Sequence, residues 1–189
     1  MNHARAGELP AIPLDEVPWF RSVDERHQYE PPLFQPSRSR FNPGHLQVMY
    51  FAPDALLARF EARDVLGQWF GDAVPSLGSR HVVIEYRIEL GPGASIVDAR
   101  PARLAAVETT VQEMTGDWQN YGLRGTLAPT QNLASAVFGR PDAPMGLMAP
   151  SARNPLRDNL VLFAERLPPR SISYHALHVW HESQLSARP

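Results

Sequence analysis

The sequence predicts an α+β protein made of small mixed or antiparallel sheets and short helices. Candidate strands, short runs rich in β-branched and aromatic residues, alternate irregularly with short helical patterns. The 19 prolines among 189 residues divide the chain into short elements, which disfavours a bundle of long helices. No helix of crossover length follows each strand in regular order, so a doubly wound parallel sheet is not expected.

The amino-terminal region is rich in proline and shows little hydrophobic periodicity. Over residues 1–36 we expect an extended arm with short turns. Trp19 and Phe20 are the large apolar side chains expected to hold this arm against the rest of the protein.

A strand followed by a short helix is predicted next. Residues 45–52 have the composition of a strand, which Pro53 ends. A helix is expected over residues 55–66, with Asp54 as its N-cap and Gly67 just past its end.

The remaining elements are predicted at short intervals. Helical patterns cover residues 101–114, in one or two pieces, and 129–139, with Thr130 as the cap and Gly139 as the stop. The glycines of "GPGAS" at 91–95 indicate a hairpin turn rather than a phosphate-binding loop. Strands are expected at 81–90, 95–99, 146–150, 159–167 and 171–183.

Composition excludes several classes of protein. Hydrophobic residues make up 43% and charged residues 20%, and the net charge is −2. These values are ordinary for a globular domain and give no basic surface for direct nucleic-acid binding. The absence of cysteine excludes disulfides, thiolate nucleophiles and cysteine-based zinc sites. Because no run is apolar enough for a signal peptide or a membrane span, we expect no membrane contact and a cytoplasmic location.

Three histidines near the carboxyl terminus are not expected to bind a shared metal. His175, His178 and His181 are three residues apart. In a strand, His175 and His181 would share one face while His178 points to the other. We therefore expect surface or packing histidines there.

Glu61 is the residue whose position calls for an explanation. Leu56, Leu57, Phe60 and Val65 form one apolar arc of the predicted helix, and Glu61 falls inside that arc. One explanation is that the arc has an exposed edge or that an arginine pairs with the carboxylate. The other is an acid kept in a cleft, where few water molecules compete for it.

Other residues could join Glu61 in a binding site. Arg40 and Tyr50 flank the turn and strand that lead into its helix. An arginine, an aromatic ring and a carboxylate together suit a ligand that carries both phosphate and positive charge. Ser151 follows a short apolar strand and a proline, at the kind of strand end where functional residues are common.

In order and spacing these motifs resemble the RES domain family, which supplies toxins of bacterial toxin–antitoxin pairs. Residues 39–61, 129–138 and 146–163 carry the resemblance, which covers roughly residues 19 to 166. Arg40 matches the family arginine because Phe-Asn-Pro follows it, although Arg38 in the run "SRSR" is a rival. Tyr50, Glu61 and Ser151 match the family tyrosine, glutamate and serine.

The resemblance implies an ADP-ribosyltransferase-like fold and an activity on NAD⁺. It suggests a single catalytic domain at 19–167, after an arm at 1–18 and before an extension at 168–189 packed on the same domain. The expected reaction splits the nicotinamide–ribose bond with water or phosphate. Transfer of ADP-ribose to a protein, or nucleotide binding without catalysis, are the alternatives.

The resemblance also implies roles for the site residues. Glu61 would stabilise the positive charge that develops on the ribose, hydrogen-bond a ribose hydroxyl or orient the nucleophile. Arg40 would hold the pyrophosphate. Tyr50 would stack near the nicotinamide, Ser151 would contact the ribose or nicotinamide, and Arg153 would be a second phosphate contact. NAD⁺ would be the substrate, and no metal is expected. The expected partner is a helix-turn-helix antitoxin, with which the protein could form an oligomer.

Overall fold

Two small sheets form the framework of the protein, in agreement with the α+β prediction. The computed structural model describes residues 3–28, 39–62 and 81–178. Its strands are β1 (Ala11–Ile12), β2 (Trp19–Asp24), β3 (Val48–Phe51), β4 (His81–Ile88), β5 (Ile96–Asp98), β6 (Gly146–Pro150), β7 (Asp158–Phe163) and β8 (Ile172–His178). Its α-helices are α1 (Ala55–Glu61), α2 (Val111–Thr115), α3 (Trp118–Leu123) and α4 (Pro129–Phe138). Short 3-10 helices lie at His3–Glu8, Glu25–His27, Pro101–Val107 and Ala164–Arg166.

The two sheets differ in size and are joined at one point. The larger has the strand order β1-β5-β6-β7-β3, in which only β5 and β6 are parallel. The smaller has the order β2-β4-β8 and is antiparallel. Phe20 of β2 and Ala52 exchange two backbone hydrogen bonds of 2.8 Å, which tie the smaller sheet to the residue that follows β3.

The larger sheet is buried on both faces. Along β7, Val161 and Phe163 belong to a core shared with α2 and α4, whereas Leu160 and Leu162 belong to a core shared with the smaller sheet. Side chains of a strand alternate between faces, so a strand covered on both sides becomes a continuous apolar run. This arrangement explains the run "NLVLF".

The register of the central strands brings three chain segments to one edge. In the pairing of β3 with β7, Phe51 lies opposite Leu160, and in that of β6 with β7, Pro150 lies opposite Asp158. The carboxyl ends of β3 and β6 therefore meet the amino end of β7. The residues that follow β3 and β6, and Asn159 near the start of β7, are neighbours for this reason.

The amino-terminal region is less extended than predicted. Residues His3–Glu8 form a 3-10 helix, and Ala6 and Leu9 are buried in the core. Trp19–Asp24 is a full strand of the smaller sheet, which the sequence analysis did not predict. Trp19 is buried and Phe20 packs beside Ala52, which confirms that these two residues hold the region to the body.

The helix that carries Glu61 begins as predicted. The Asp54 carboxylate accepts a hydrogen bond of 2.8 Å from the Leu57 N–H, so Asp54 is the N-cap. The apolar arc was partly wrong, because Leu56 is 50% exposed and the buried side is formed by Leu57 and Ala58. Gly67, the predicted stop, lies outside the described residues.

The predicted cap of α4 was wrong. Its N-cap is Ala128, whose N–H donates to the Gln131 side chain at 3.0 Å. Pro129 occupies the first turn, where it needs no N–H partner and its fixed φ suits a helix. Thr130 is therefore already inside the helix. Gly139 follows the last helical residue, as predicted.

Several other elements differ from the predictions in their boundaries. The pattern over 101–114 is two helices, separated where Glu108 takes a left-handed φ of 53° and Thr110 caps α2. The strand predicted at 159–167 ends at Phe163, where a 3-10 turn begins. The glycine-rich turn after β4 leads to β5 in the other sheet, so it does not close a hairpin. Helix α3 was not predicted.

Within residues 3–28, 39–62 and 81–178, no helix has the length and apolarity needed to cross a membrane.

The close approach of β6 to β7 requires glycine at position 146. A Cβ atom there would overlap the Val161 carbonyl oxygen and lie 2.9 Å from Leu162 Cδ2. We expect Gly146→Ala to lower the free energy of unfolding by about 1–3 kcal/mol, measured by urea denaturation. Gly122→Ala is the matched control, because in α3 no atom lies within 4 Å of the added methyl group. Equal denaturation midpoints for the two variants would contradict this account.

Candidate active site

A cleft of about 690 Å³ opens at the edge where β3, β6 and β7 meet. This volume lies in the usual range for small-molecule sites. Four residues singled out in the sequence line it, namely Arg40, Tyr50, Glu61 and Arg153.

Glu61 is held in the cleft by polar neighbours. It is the last residue of α1 and is half-buried. Its Oε1 atom accepts a hydrogen bond of 2.7 Å from Asn159 Nδ2 and a short one from the Ser151 hydroxyl. The described residues give its other oxygen, Oε2, no hydrogen bond. Within residues 3–28, 39–62 and 81–178, no arginine forms an ion pair with Glu61.

Ser151 is fully buried, and its hydroxyl group forms hydrogen bonds with neighbouring residues instead of lining the cleft. Its Oγ atom accepts hydrogen bonds from the N–H groups of Arg153 at 3.1 Å and Asn154 at 3.0 Å. Since both lone pairs are then used, the hydroxyl proton is directed to Glu61. The cleft wall beside it is formed by Ala152 and Arg153. A direct contact of Ser151 with a ligand stays a prediction.

Arg40 is buried, with 8% of its surface exposed, and is fixed by backbone carbonyls. Its Nε and Nη2 atoms donate to the Met114 oxygen at 3.0 and 2.6 Å, and Nη2 also donates to the Pro150 oxygen at 2.7 Å. Burial lowers the pKa of Arg40 to about 10, and the Glu61 carboxylate partly opposes that decrease. Arg40 therefore remains a cation at neutral pH. Among the described residues, no acceptor binds its Nη1 atom.

The backbone around Arg40 is held by the "PTQNLA" segment. The Thr130 hydroxyl donates to the Arg40 carbonyl oxygen, and Gln131 Nε2 donates to the carbonyls of Ser39 at 2.9 Å and Asn42 at 3.3 Å. Both helix side chains are buried. Their hydrogen bonds fix the turn in which Arg40 lies, a role that the sequence analysis had not assigned to this motif.

Tyr50 supports the same turn through its hydroxyl group. The oxygen accepts from the Phe41 N–H at 2.9 Å and forms a 2.7 Å hydrogen bond with the Ser39 hydroxyl. Burial raises the pKa of Tyr50, so the phenol is neutral at physiological pH. Tyr50 therefore offers the cleft an aromatic surface rather than a charge.

Four other residues discussed in the sequence analysis, namely Arg38 and the three histidines near the carboxyl terminus, are not among the described residues that line the cleft. Arg38 lies outside the described residues, so the structure does not choose between it and Arg40. His175 is on β8, where its Nε2 lies 3.7 Å from Glu85 Oε1. The side chain of His178 and the whole of His181 lie outside the described part.

Arg21 is a cleft residue that the sequence analysis missed. It lies on β2, lines the cleft and is half-buried. Within the described chain its guanidinium makes no hydrogen bond and no ion pair, and burial lowers the pKa of Arg21. A cation partly removed from water without a carboxylate partner is costly, which points to an anionic ligand. No sequence pattern pointed to Arg21, because residues 1–36 were predicted to form an extended arm and β2 was not predicted.

Asn159 and Trp118 were missed as well. Asn159 carried no clear signal in the sequence, because it directly follows Asp158 at the start of the apolar run, where a polar residue is ordinary. Trp118 begins α3 and forms part of the cleft wall, as does Phe20 on β2. The cleft thus combines one half-buried carboxylate, three arginines and aromatic walls. Its other acidic residue, Asp117, is used as the N-cap of α3.

Comparison with models of known protein families shows to which family the chain belongs. A family model described as the RES domain matches residues 18–180, which is most of the chain. The chain belongs to the RES domain family.

The solved structure of another protein has a fold similar to that of this RES domain. This RES domain is similar to a chain in the crystal structure of the M. tuberculosis MbcT–MbcA toxin–antitoxin complex, with a TM-score of 0.70 and 16% sequence identity. The likeness covers 96% of this chain and 93% of that chain, and it confirms the predicted fold class. A search of curated proteins finds no sequence that matches this RES domain.

The two arginines of the RES domain cleft should differ in their effect on stability. Arg40→Met leaves the buried carbonyls of Met114 and Pro150 without their donors, so we expect a loss of roughly 1–3 kcal/mol in unfolding free energy. Arg21→Met removes a cation that has no hydrogen-bond or ion-pair partner among the described residues, so stability should be unchanged or higher. Urea denaturation of both variants measures the difference. If Arg21→Met lowered the free energy of unfolding as much as Arg40→Met does, the conclusion that Arg40 supports the fold and Arg21 does not would be wrong.

Proposed function

We propose that this RES domain cleaves the nicotinamide–ribose bond of NAD⁺, with water or phosphate as the acceptor. The observation that carries the proposal is the charge arrangement of the cleft. Glu61 is a half-buried carboxylate with one oxygen unoccupied by described residues, while Arg21, Arg40 and Arg153 line the same space. NAD⁺ has the complementary arrangement, with a cationic pyridinium at one end and an anionic pyrophosphate in the middle.

The reaction suits a carboxylate placed in this way. As the bond between the ribose C1′ and the nicotinamide nitrogen breaks, its electron pair neutralises the pyridinium and positive charge moves to the ribose. An anion fixed beside this oxocarbenium-like centre lowers the barrier, as in glycoside hydrolysis. Attack by water gives ADP-ribose, nicotinamide and a proton. Attack by phosphate gives nicotinamide and ADP-ribose that carries the phosphate on the ribose carbon released from nicotinamide.

The cationic side chains suit the pyrophosphate. Arg40 is fixed on one side by carbonyls, which leaves Nη1 for a ligand, and Arg21 has its whole guanidinium available. Arg153 adds a third positive charge on the loop after Ser151. Arginine suits phosphate oxygens because its N–H groups can bind two of them at once. We assign Arg21 to the pyrophosphate in addition to the predicted Arg40 and Arg153.

The remaining predicted residues receive adjusted roles. The Tyr50 hydroxyl is engaged by the turn, so its ring is the part that would contact the nicotinamide. Ser151 would act by holding Glu61, since its oxygen is buried and used by three neighbours.

We further propose that the protein acts as a toxin in bacterial cells and is neutralised by a partner protein. Two observations support this role: the RES domain membership and a fold shared with a chain of a toxin–antitoxin complex. Loss of NAD⁺ would arrest growth. A helix-turn-helix antitoxin that covers the cleft near Arg40 and Glu61 is the partner we expect.

Substitution of Glu61 tests the chemistry. We expect the purified protein to release nicotinamide from NAD⁺, and Glu61→Gln to lower kcat by about 10²–10³-fold, since the variant loses the anion that faces the developing charge. Chromatography of nicotinamide with and without added phosphate provides the measurement. Glu89→Gln, which changes an exposed glutamate after β4, is the matched control and should keep wild-type turnover.

The products of the same assay decide the acceptor. Free ADP-ribose indicates water, and a phosphorylated ADP-ribose indicates phosphate. Labelled NAD⁺ that marks a protein in a lysate would instead favour ADP-ribosyl transfer. If wild type and Glu61→Gln are equally inactive under all three conditions, the proposed chemistry is wrong.

Expression in a bacterial host tests the toxin role. Wild-type protein should slow growth after cellular NAD⁺ falls, whereas Glu61→Gln at the same expression level should not. Cell density and total NAD⁺ are measured over time, with Glu89→Gln as the toxic control. If the wild type and Glu61→Gln both arrested growth while total cellular NAD⁺ stayed unchanged, the proposal would be contradicted.

A further inference from the structure

Asn159 is the second donor on the same oxygen of Glu61. It is 3% exposed and lies near the amino end of β7, where it lines the cleft. Its Nδ2 atom donates to Oε1 of Glu61 at 2.7 Å, and the Ser151 hydroxyl donates to that oxygen too. Two buried polar side chains, from β7 and from the loop after β6, thus converge on one carboxylate oxygen.

The other end of the Asn159 amide has no partner. Within the described residues, Oδ1 is buried and accepts no hydrogen bond. A buried polar atom left in this state costs about 1–3 kcal/mol. Rotating the amide would not remove the cost, because Oδ1 would then face the Glu61 carboxylate. The amide orientation therefore follows from the charge of Glu61, and an unsatisfied atom of this kind is typical of a functional constraint.

The surroundings of Glu61 explain why it needs these donors. Glu61 ends α1, where the helix carbonyls present partial negative charge to a carboxylate. Arg40 and Tyr50 are the titratable groups that interact with Glu61 electrostatically, and neither forms a hydrogen bond with it among the described contacts. Among the described residues, only Ser151 and Asn159 donate hydrogen bonds to its carboxylate.

We propose that Asn159 is a positioning residue that, together with Ser151, occupies Oε1 of Glu61 so that Oε2 is the oxygen presented to the substrate. This inference rests on the proposed cleavage of NAD⁺, and it adds a division of labour between the two oxygens of one carboxylate. It also assigns a function to the asparagine of "NLVLF". Asn159 acts through Glu61, so its removal should affect the chemical step more than substrate binding.

Kinetics of Asn159 variants test this role. We expect Asn159→Ala to lower kcat about 10–100-fold, as a misdirected catalytic group does, while KM for NAD⁺ changes less than about threefold. In a Glu61→Gln background, Asn159→Ala should cause no further loss, since the two residues act as a unit. Asn120→Ala, at an exposed asparagine that donates to Asp117, is the matched control. Asn159→Leu has a similar shape without the donor and replaces Asn159→Ala should the latter not fold.

Amide resonances provide a measurement that does not depend on activity. The side-chain N–H₂ signals of Asn159 should differ between the NMR spectra of the wild type and of Glu61→Gln, since the substitution replaces a charged acceptor with a neutral amide. The Asn120 side-chain signals should be the same in both spectra. If nicotinamide release fails for the wild type, the proposed function falls while this experiment still decides the Asn159–Glu61 link. The inference would be overturned if Asn159→Ala had the kcat of the wild type, or if it lowered kcat equally in the wild-type and Glu61→Gln backgrounds. It would also be overturned if the Asn159 side-chain signals did not change in Glu61→Gln.

Discussion

The register of β3, β7 and β6 determines where Glu61, Ser151 and Asn159 meet in the cleft. Because the strands are antiparallel neighbours, the end of β3, the end of β6 and the start of β7 share one edge. α1 leaves β3 at this edge and carries Glu61, and the loop after β6 carries Ser151. The hydrogen bonds on Glu61 Oε1 join these three segments, which are 90 and 98 residues apart in sequence. A register slip of one residue would point Asn159 to the opposite face and break that junction.

The cleft uses arginine for two different physical purposes. Arg40 is part of the structure, since its hydrogen bonds to the carbonyls of Met114 and Pro150 connect α2 to the end of β6. Arg21 has no such partner among the described residues. The free energy lost when its guanidinium is partly removed from water is therefore not recovered within the described fold. A fold retains such a cost where a ligand offsets it. The same reasoning applies to the unsatisfied oxygen of Asn159. Both features fit a site in which some stability is given up for binding and chemistry.

Sequence reasoning predicted the local features of the site well and the long-range ones poorly. The N-cap at Asp54 and the position of Glu61 on a short helix follow from spacing alone, and the resemblance singled out Arg40, Tyr50 and Ser151. Arg21 could not be placed, because its position depends on β2 pairing with β4, some 60 residues away. The roles of Thr130 and Gln131 were hidden for a similar reason: their acceptors lie in a turn about 90 residues earlier.

The most direct test of this account is a crystal structure of the Glu61→Gln variant with NAD⁺, because the slow turnover that we propose for this variant would preserve the intact dinucleotide. The account predicts that the ribose attached to nicotinamide lies within hydrogen-bond distance of the side chain at position 61, on the atom not held by Asn159 and Ser151. It also predicts that the pyrophosphate contacts Arg21 and the Nη1 atom of Arg40. An ordered NAD⁺ outside the cleft, or a pyrophosphate that touches none of the cleft arginines, would contradict it.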